Sequence, residues 1–236
     1  MSALTTLVDD LVAANRILAG LEVLDGFGHV SVRHPDRADC FLLARSLAPE
    51  LVTRDDIMTF DMASVPQNGD ARTPYLERFI HGEIYQLRPD VVSIVHSHAA
   101  TVVPFTTSSV PLKPIYHMSS FLRTGAPVFE MRERFGMTDM LIRTNAQGMA
   151  LAEKLGDNSA VLMRGHGYCT VGASIPEAVF RAYYARVNAD LQQRAIALGG
   201  AVTYLDDEEA RLYDETNRGV IGRPWSLWKA KFAPTK

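Results

Sequence analysis

The sequence predicts an α/β sandwich on a mainly antiparallel or mixed sheet. Amphipathic helical stretches and short apolar runs are interspersed, several of the runs are joined strand to strand by turns, and a long helix with a marked start follows the last run.

The elements follow in chain order. Leu4, Leu7, Val8, Leu11, Val12, Leu18 and Leu21 recur at three- and four-residue steps, the apolar stripe of a first helix. Asp25-Gly26-Phe27-Gly28 breaks it. Strands are expected at His29 to Arg33, Cys40 to Ala44 and Ile57 to Phe60, with a turn at Pro35-Asp36 between the first two. Residues 75 to 87 read as a helix stopped by Arg88-Pro89-Asp90. Val91 to Val95 and Ala160 to Met163 are short apolar runs that suit buried strands. Asn145 to Leu155 reads as a helix capped by Gly156. The longest helix is expected from about Ile175 to Leu198. Ser174 and Glu177 form an S-x-x-E capping box at its start, Pro176 lies in its first turn, and Gly199-Gly200 ends it. From Asp206 the tail is charged, then aromatic at Trp225, Trp228 and Phe232.

No repeat or linker divides the chain, so residues 1–236 read as one domain with an aromatic C-terminal tail. Apolar residues make up 47% and charged residues 22%, the balance of a soluble globular protein. A net charge of -3 without a basic cluster argues against nucleic acid or a polybasic membrane contact. No apolar run approaches the roughly 18 residues of a membrane span, and Met1-Ser2-Ala3-Leu4-Thr5 does not open a signal peptide, so a cytoplasmic enzyme is expected. Cys40 and Cys169 are too few for a disulfide framework and read as buried thiols.

The chemistry concentrates in histidines. His96 and His98 stand two apart at a strand end, so both rings project to one face and can reach one ion. His166 follows another buried strand between Gly165 and Gly167, which permit a tight turn and leave room beside the ring. Three neutral imidazoles with an open position suit catalytic Zn²⁺, and also Mn²⁺, Fe²⁺ or Co²⁺; three unrelated strand-end histidines would read the same way. Glu77 has apolar neighbours that would bury it, which calls for a partner. By residue chemistry alone, a helix-surface glutamate paired with Arg78 or His81 fits it better.

Glu77, His96-Ser97-His98 nineteen residues later, and Arg164-Gly165-His166-Gly167 together resemble the class II aldolase/adducin family. Arg88-Pro89-Asp90-Val91 and Gly28-His29-Val30-Ser31-Val32-Arg33 are similar to it too, over roughly residues 5 to 200. The resemblance implies a three-layer α/β/α sandwich around a largely antiparallel sheet, assembled as a homotetramer with active sites at subunit interfaces. It implies one divalent metal ion per subunit, Zn²⁺ or Mn²⁺, bound by His96, His98 and His166, and Glu77 as the catalytic carboxylate.

The departures from the family pattern narrow the substrate. Family members acting on sugar phosphates hold the phosphate with small polar residues at three places, where this chain has His29, Arg45-Ser46-Leu47 and Tyr75-Leu76. Leu47 and Leu76 carry no side-chain donor, so a phosphate would find few of the N–H and hydroxyl groups it needs. The aldolases' proton-donating tyrosine, nineteen residues after the second metal histidine, is His117 here, and imidazole is a good acid/base near neutral pH. His117-Met118-Ser119-Ser120-Phe121-Leu122 resembles the branch that decarboxylates hydroxy-pyridine dicarboxylates and dihydroxyphthalates. The resemblance thus implies a metal-dependent decarboxylase of a ring-hydroxylated aromatic dicarboxylate. Glu77 or His117 would deliver the proton, and His29, Ser46 and Arg45, the last as a fork donor, would hold the remaining carboxylate. The alternatives are a class II aldolase or dehydratase on a small hydroxy-carbonyl or sugar-phosphate substrate, and a non-catalytic adducin-like interaction module.

Overall fold

The computed structural model describes residues 2–233; Met1 and residues 234–236, which belong to the expected 1–236 unit, lie outside the described residues. The chain runs α1 (Ala3–Gly20), β1 (His29–Arg33), β2 (Cys40–Ala44), β3 (Ile57–Asp61), α2 (Phe79–Leu87), β4 (Ser93–Ser97) and α3 (Val103–Thr107). It continues through β5 (Val128–Phe129), α4 (Arg132–Phe135), α5 (Asn145–Leu155), β6 (Ala160–Met163), β7 (Gly167–Gly172), α6 (Ile175–Ala197), α7 (Asp207–Val220) and α8 (Gly222–Phe232).

Seven strands form one sheet in the order β3-β2-β1-β4-β7-β6-β5. Every neighbouring pair is antiparallel except β5 with β6. Side chains alternate across each strand, so each strand feeds both faces. Val30, Val32, Leu42 and Val95 point to a layer formed with Leu11, Ile17, Val179, Trp225 and Trp228 of α1, α6 and α8. Phe41, Ile94, Cys169 and Val171 point the other way, onto Ile80, Ile84, Ala150 and Leu151 of α2 and α5. The architecture is therefore the expected α/β/α sandwich. Burying a large side chain such as Phe41, fully enclosed here, contributes roughly 1.5–3 kcal/mol. Among the described residues no helix is long and apolar enough to cross a membrane.

Three expectations are corrected. Tyr75 is irregular and residues 76–78 are a turn, and α2 starts only at Phe79, so Glu77 precedes the helix. Tertiary bonds hold that turn: the Tyr75 hydroxyl donates to the Leu47 carbonyl and the Arg78 guanidinium to the Ser64 carbonyl. The strand expected at Val91 to Val95 lies two residues later, because the Val91 N–H is held by Arg88 O; His96 and Ser97 are paired strand residues opposite Cys169 and Tyr168. The capping box of α6 is half formed. Ser174 accepts from Glu177 N–H, but Glu177 turns back to the Ala173 N–H instead of that of Ser174. The tail beyond Asp206 is two helices, and its tryptophans are buried packing: Trp228 stacks edge-on against Tyr183 at 5.4 Å.

Candidate active site

His96 sits inside β4 on the face toward α2, and His98 follows just after the strand end. The two-residue step brings the rings together, with Nε2 atoms 2.9 Å apart. His166 comes from the tight connection between β6 and β7. Gly165 takes φ +64°, a left-handed conformation open to glycine, and so turns the chain. Gly167 admits a close approach: a Cβ there would lie 2.2 Å from the Ser97 carbonyl oxygen. These two glycines place His166 Nε2 2.9 Å from His98 Nε2.

Glu77 completes the group. Its Oε1 accepts the Ile142 N–H at 2.9 Å, and its Oε2 stands 3.5 Å from His96 Nε2 and 3.4 Å from His166 Nε2. Glu77 is buried, not a surface residue, and its neighbours are these histidines rather than Arg78 or His81. One donor atom from each of Glu77, His96, His98 and His166 lies within 4.8 Å of the others.

The donor set fits a cation. His96 Nδ1 is 3.2 Å from the Tyr168 carbonyl and His166 Nδ1 is 3.1 Å from that of Met140. Carbonyls accept only, so both Nδ1 atoms carry the protons and both Nε2 atoms offer lone pairs. His98 Nε2 lies between them and can donate to only one. At least one of these Nε2 lone pairs is therefore left without a donor, and both face the Glu77 carboxylate oxygen, an arrangement that a shared divalent ion relieves.

The electrostatics agree. Burial alone would raise the Glu77 carboxyl, but the facing His166 and His96 hold it well below the usual carboxylate range. Burial opposes protonation of His166, and the Glu77 carboxylate outweighs it, raising that pKa. Burial, then the neighbouring His96 and His166, push His98 down to about 3.

A cavity of about 330 Å³ opens over this group, lined by Glu77 and His98 and walled by Phe27, Leu47, Tyr75, Leu76 and Leu141. His29 and Ser46 also line it. Arg45 does not; its Nε donates to Asp56 Oδ1 at 2.6 Å. His117 lies elsewhere on the chain, exposed, with its ring 4.5 Å from that of Tyr213. His81, which residue chemistry offered as a partner of Glu77, hydrogen-bonds His29 instead. The only signal of that bond was a polar ring among the apolar residues of α2.

The comparisons with known proteins agree with this geometry. Residues 9–193 match the class II aldolase and adducin N-terminal domain. The chain is 39% identical to decarboxylase tropJ of Talaromyces stipitatus over 244 residues, covering 94% of this chain and 92% of that one. It is 29% identical to the 3,4-dihydroxyphthalate decarboxylase of a Terrabacter strain, covering 89% and 91%. L-fuculose 1-phosphate aldolase from Glaciozyma antarctica superposes with a TM-score of 0.78 at 22% identity, over 98% and 93% of the two chains. The chain belongs to the class II aldolase/adducin family, among its decarboxylases, and is an enzyme of the carboxy-lyase type.

Proposed function

We propose that this enzyme is a metal-dependent decarboxylase of a ring-hydroxylated aromatic dicarboxylate, of the dihydroxyphthalate or hydroxy-pyridine dicarboxylate type. The observation that carries the reading is the cavity itself. Apolar walls from Phe27, Leu47, Leu76 and Leu141 suit a flat ring, and they stand directly over the Glu77 and histidine group. A sugar phosphate would need polar donors where Leu47 and Leu76 stand. The decarboxylases among the relatives support the same choice.

His96, His98 and His166, with Glu77, would hold one Zn²⁺ or Mn²⁺. Bound there, such an ion acts as a Lewis acid that stabilises negative charge on a substrate oxygen. His29 and Ser46 hold the carboxylate that is retained, and the apolar walls fix the ring plane and exclude water from its faces. Arg45, engaged with Asp56, is outside this contact set. As CO₂ leaves, the ring carbon that bore it needs a proton. Glu77 Oε2 is the acid/base beside the cavity within one chain. His117 is the alternative donor; it is exposed and outside the cavity of its own chain, so it would reach the ring only from a neighbouring subunit of a homotetramer.

The test is a screen of hydroxylated phthalates and pyridine dicarboxylates for CO₂ release by purified protein reloaded with Zn²⁺ or Mn²⁺ after chelation. Release with at least one metal, and none without, is expected. Aldehyde or water release from a hydroxy-carbonyl substrate, with no CO₂ from any aromatic acid, would replace this reading by the aldolase or dehydratase one.

A further inference from the structure

Behind the cavity, four polar side chains form an unbroken hydrogen-bonded chain into the core. His29 Nδ1 is 2.7 Å from His81 Nε2, His81 Nδ1 is 2.6 Å from Ser31 Oγ, and Ser31 Oγ is 2.7 Å from the Tyr85 hydroxyl. Each of the four is at most 3% exposed. β1 presents His29 and Ser31 on one face by its two-residue period, and α2 presents His81 and Tyr85 by its four-residue step. None of the four belongs to the Glu77, His96, His98 and His166 group.

The direction of the chain follows from its inner end. The Tyr85 proton has two acceptors, Ser31 Oγ at 2.7 Å and the Val92 carbonyl at 3.3 Å. That carbonyl already accepts the Arg33 N–H at 2.8 Å. The Ser31 contact is also the shorter by 0.6 Å, so the phenol donates to Ser31. Ser31 has one proton, and it goes to His81 Nδ1. With its Nδ1 accepting from Ser31, the His81 ring carries its proton on Nε2. Nε2–H donates to His29 Nδ1. With its Nδ1 accepting, His29 is left with its proton on its own Nε2. That atom makes no hydrogen bond among the described residues, and His29 lines the cavity.

We propose that Tyr85, Ser31 and His81 are positioning residues that lock His29 in the Nε2–H tautomer, so that an uncharged buried imidazole donates a hydrogen bond to an anionic oxygen of the substrate. The identity of that oxygen, a retained carboxylate, rests on the function proposed above; the tautomer does not. The lock also keeps His29 out of the metal ligand set, although its ring lies 5.0 Å from that of His96. A nitrogen bearing a proton has no lone pair to give.

Histidine ¹⁵N–¹H correlation spectra of the zinc-loaded protein without substrate test the lock, with the His29 signals assigned by their loss in His29→Gln. The expected His29 pattern is a protonated Nε2 and a bare Nδ1. His81→Leu removes both bonds. It is expected to mix the tautomers and to raise KM for an aromatic substrate about tenfold or more, the cost of one hydrogen bond to a charged group, with kcat changing far less. His81→Gln offers an acceptor to Ser31 and a donor to His29, and should restore the tautomer and KM. If His81→Leu does not fold, Ser31→Ala gives the tautomer readout at a smaller site. A protonated Nδ1 in the wild type, or an unchanged single tautomer in the variants, overturns the proposal. Absence of any aromatic decarboxylation with the expected tautomer present would instead overturn the function.

Discussion

Acidification is expected to destabilise this protein through His81. The ring is fully enclosed, and burial holds its pKa at about 3 against an ordinary value of 6.5. The unfolded chain therefore takes up a proton before the folded one does. Stability from this source is complete above pH 6.5 and is lost as pH falls toward 3. At about 1.4 kcal/mol per unit, the loss is about 2 kcal/mol at pH 5 and about 5 kcal/mol once the window has been crossed. His29 and His98 are shifted in the same direction by burial and add to the effect. Subtraction isolates His81. Urea unfolding of metal-free wild type and His81→Gln at pH 8, 7, 6 and 5 should give wild-type stability that falls faster, by about 2 kcal/mol over the range. Parallel curves for the two proteins would show that His81 titrates normally, and that its burial costs the charged form little.

Glu77→Gln keeps the oxygen that accepts the Ile142 N–H but removes the charge facing His96 and His166, so the fold should persist while kcat falls by roughly 10²–10⁴, read by CO₂ release together with the thermal midpoint. Gly167→Ala would put a methyl group 2.2 Å from the Ser97 carbonyl oxygen and 3.1 Å from His98 Cδ2; a loss of about 1–3 kcal/mol and a lowered metal content by elemental analysis are expected. His117→Ala should leave the fold and metal content unchanged, since the residue is exposed, but lower turnover; undiminished turnover would remove it from the proton transfer.

Much of this was legible in the sequence where local chemistry and tertiary structure agree. Ser174 accepts the Glu177 N–H at the start of α6, and Ala160 to Met163 is a strand with the bounds its apolar run implied. His96 and His98 sit two apart on an extended segment, so their convergence followed from the period of a strand. What escaped depended on distant partners. The helical pattern across residues 75–87 gave way at its first turn to bonds from Tyr75 to Leu47 and from Arg78 to Ser64. β7, Gly167 to Gly172, has glycine at both ends and was obscured, although its backbone pairs with β4 and β6. β5 is two residues long and exists through its parallel pairing with β6. The Asp206-x-x-Glu209 box that starts α7 was readable and was passed over. The His29–His81 bond joins residues 52 apart, which no local pattern reports.

The walls of the cavity and its floor come from different parts of the chain. Glu77 is fixed by the Ile142 N–H, and the histidines by β4 and the β6–β7 connection, whereas Phe27, Ser46, Leu47 and Leu76 belong to surface segments between elements. Phe27 is 71% exposed and Leu76 53%, so exchanging either disturbs little packing. Drift in those segments can change which molecule is admitted while the Glu77 and histidine group stays intact. A scaffold divided in this way can be refitted to a different small molecule by a few surface substitutions, without first disturbing that buried group.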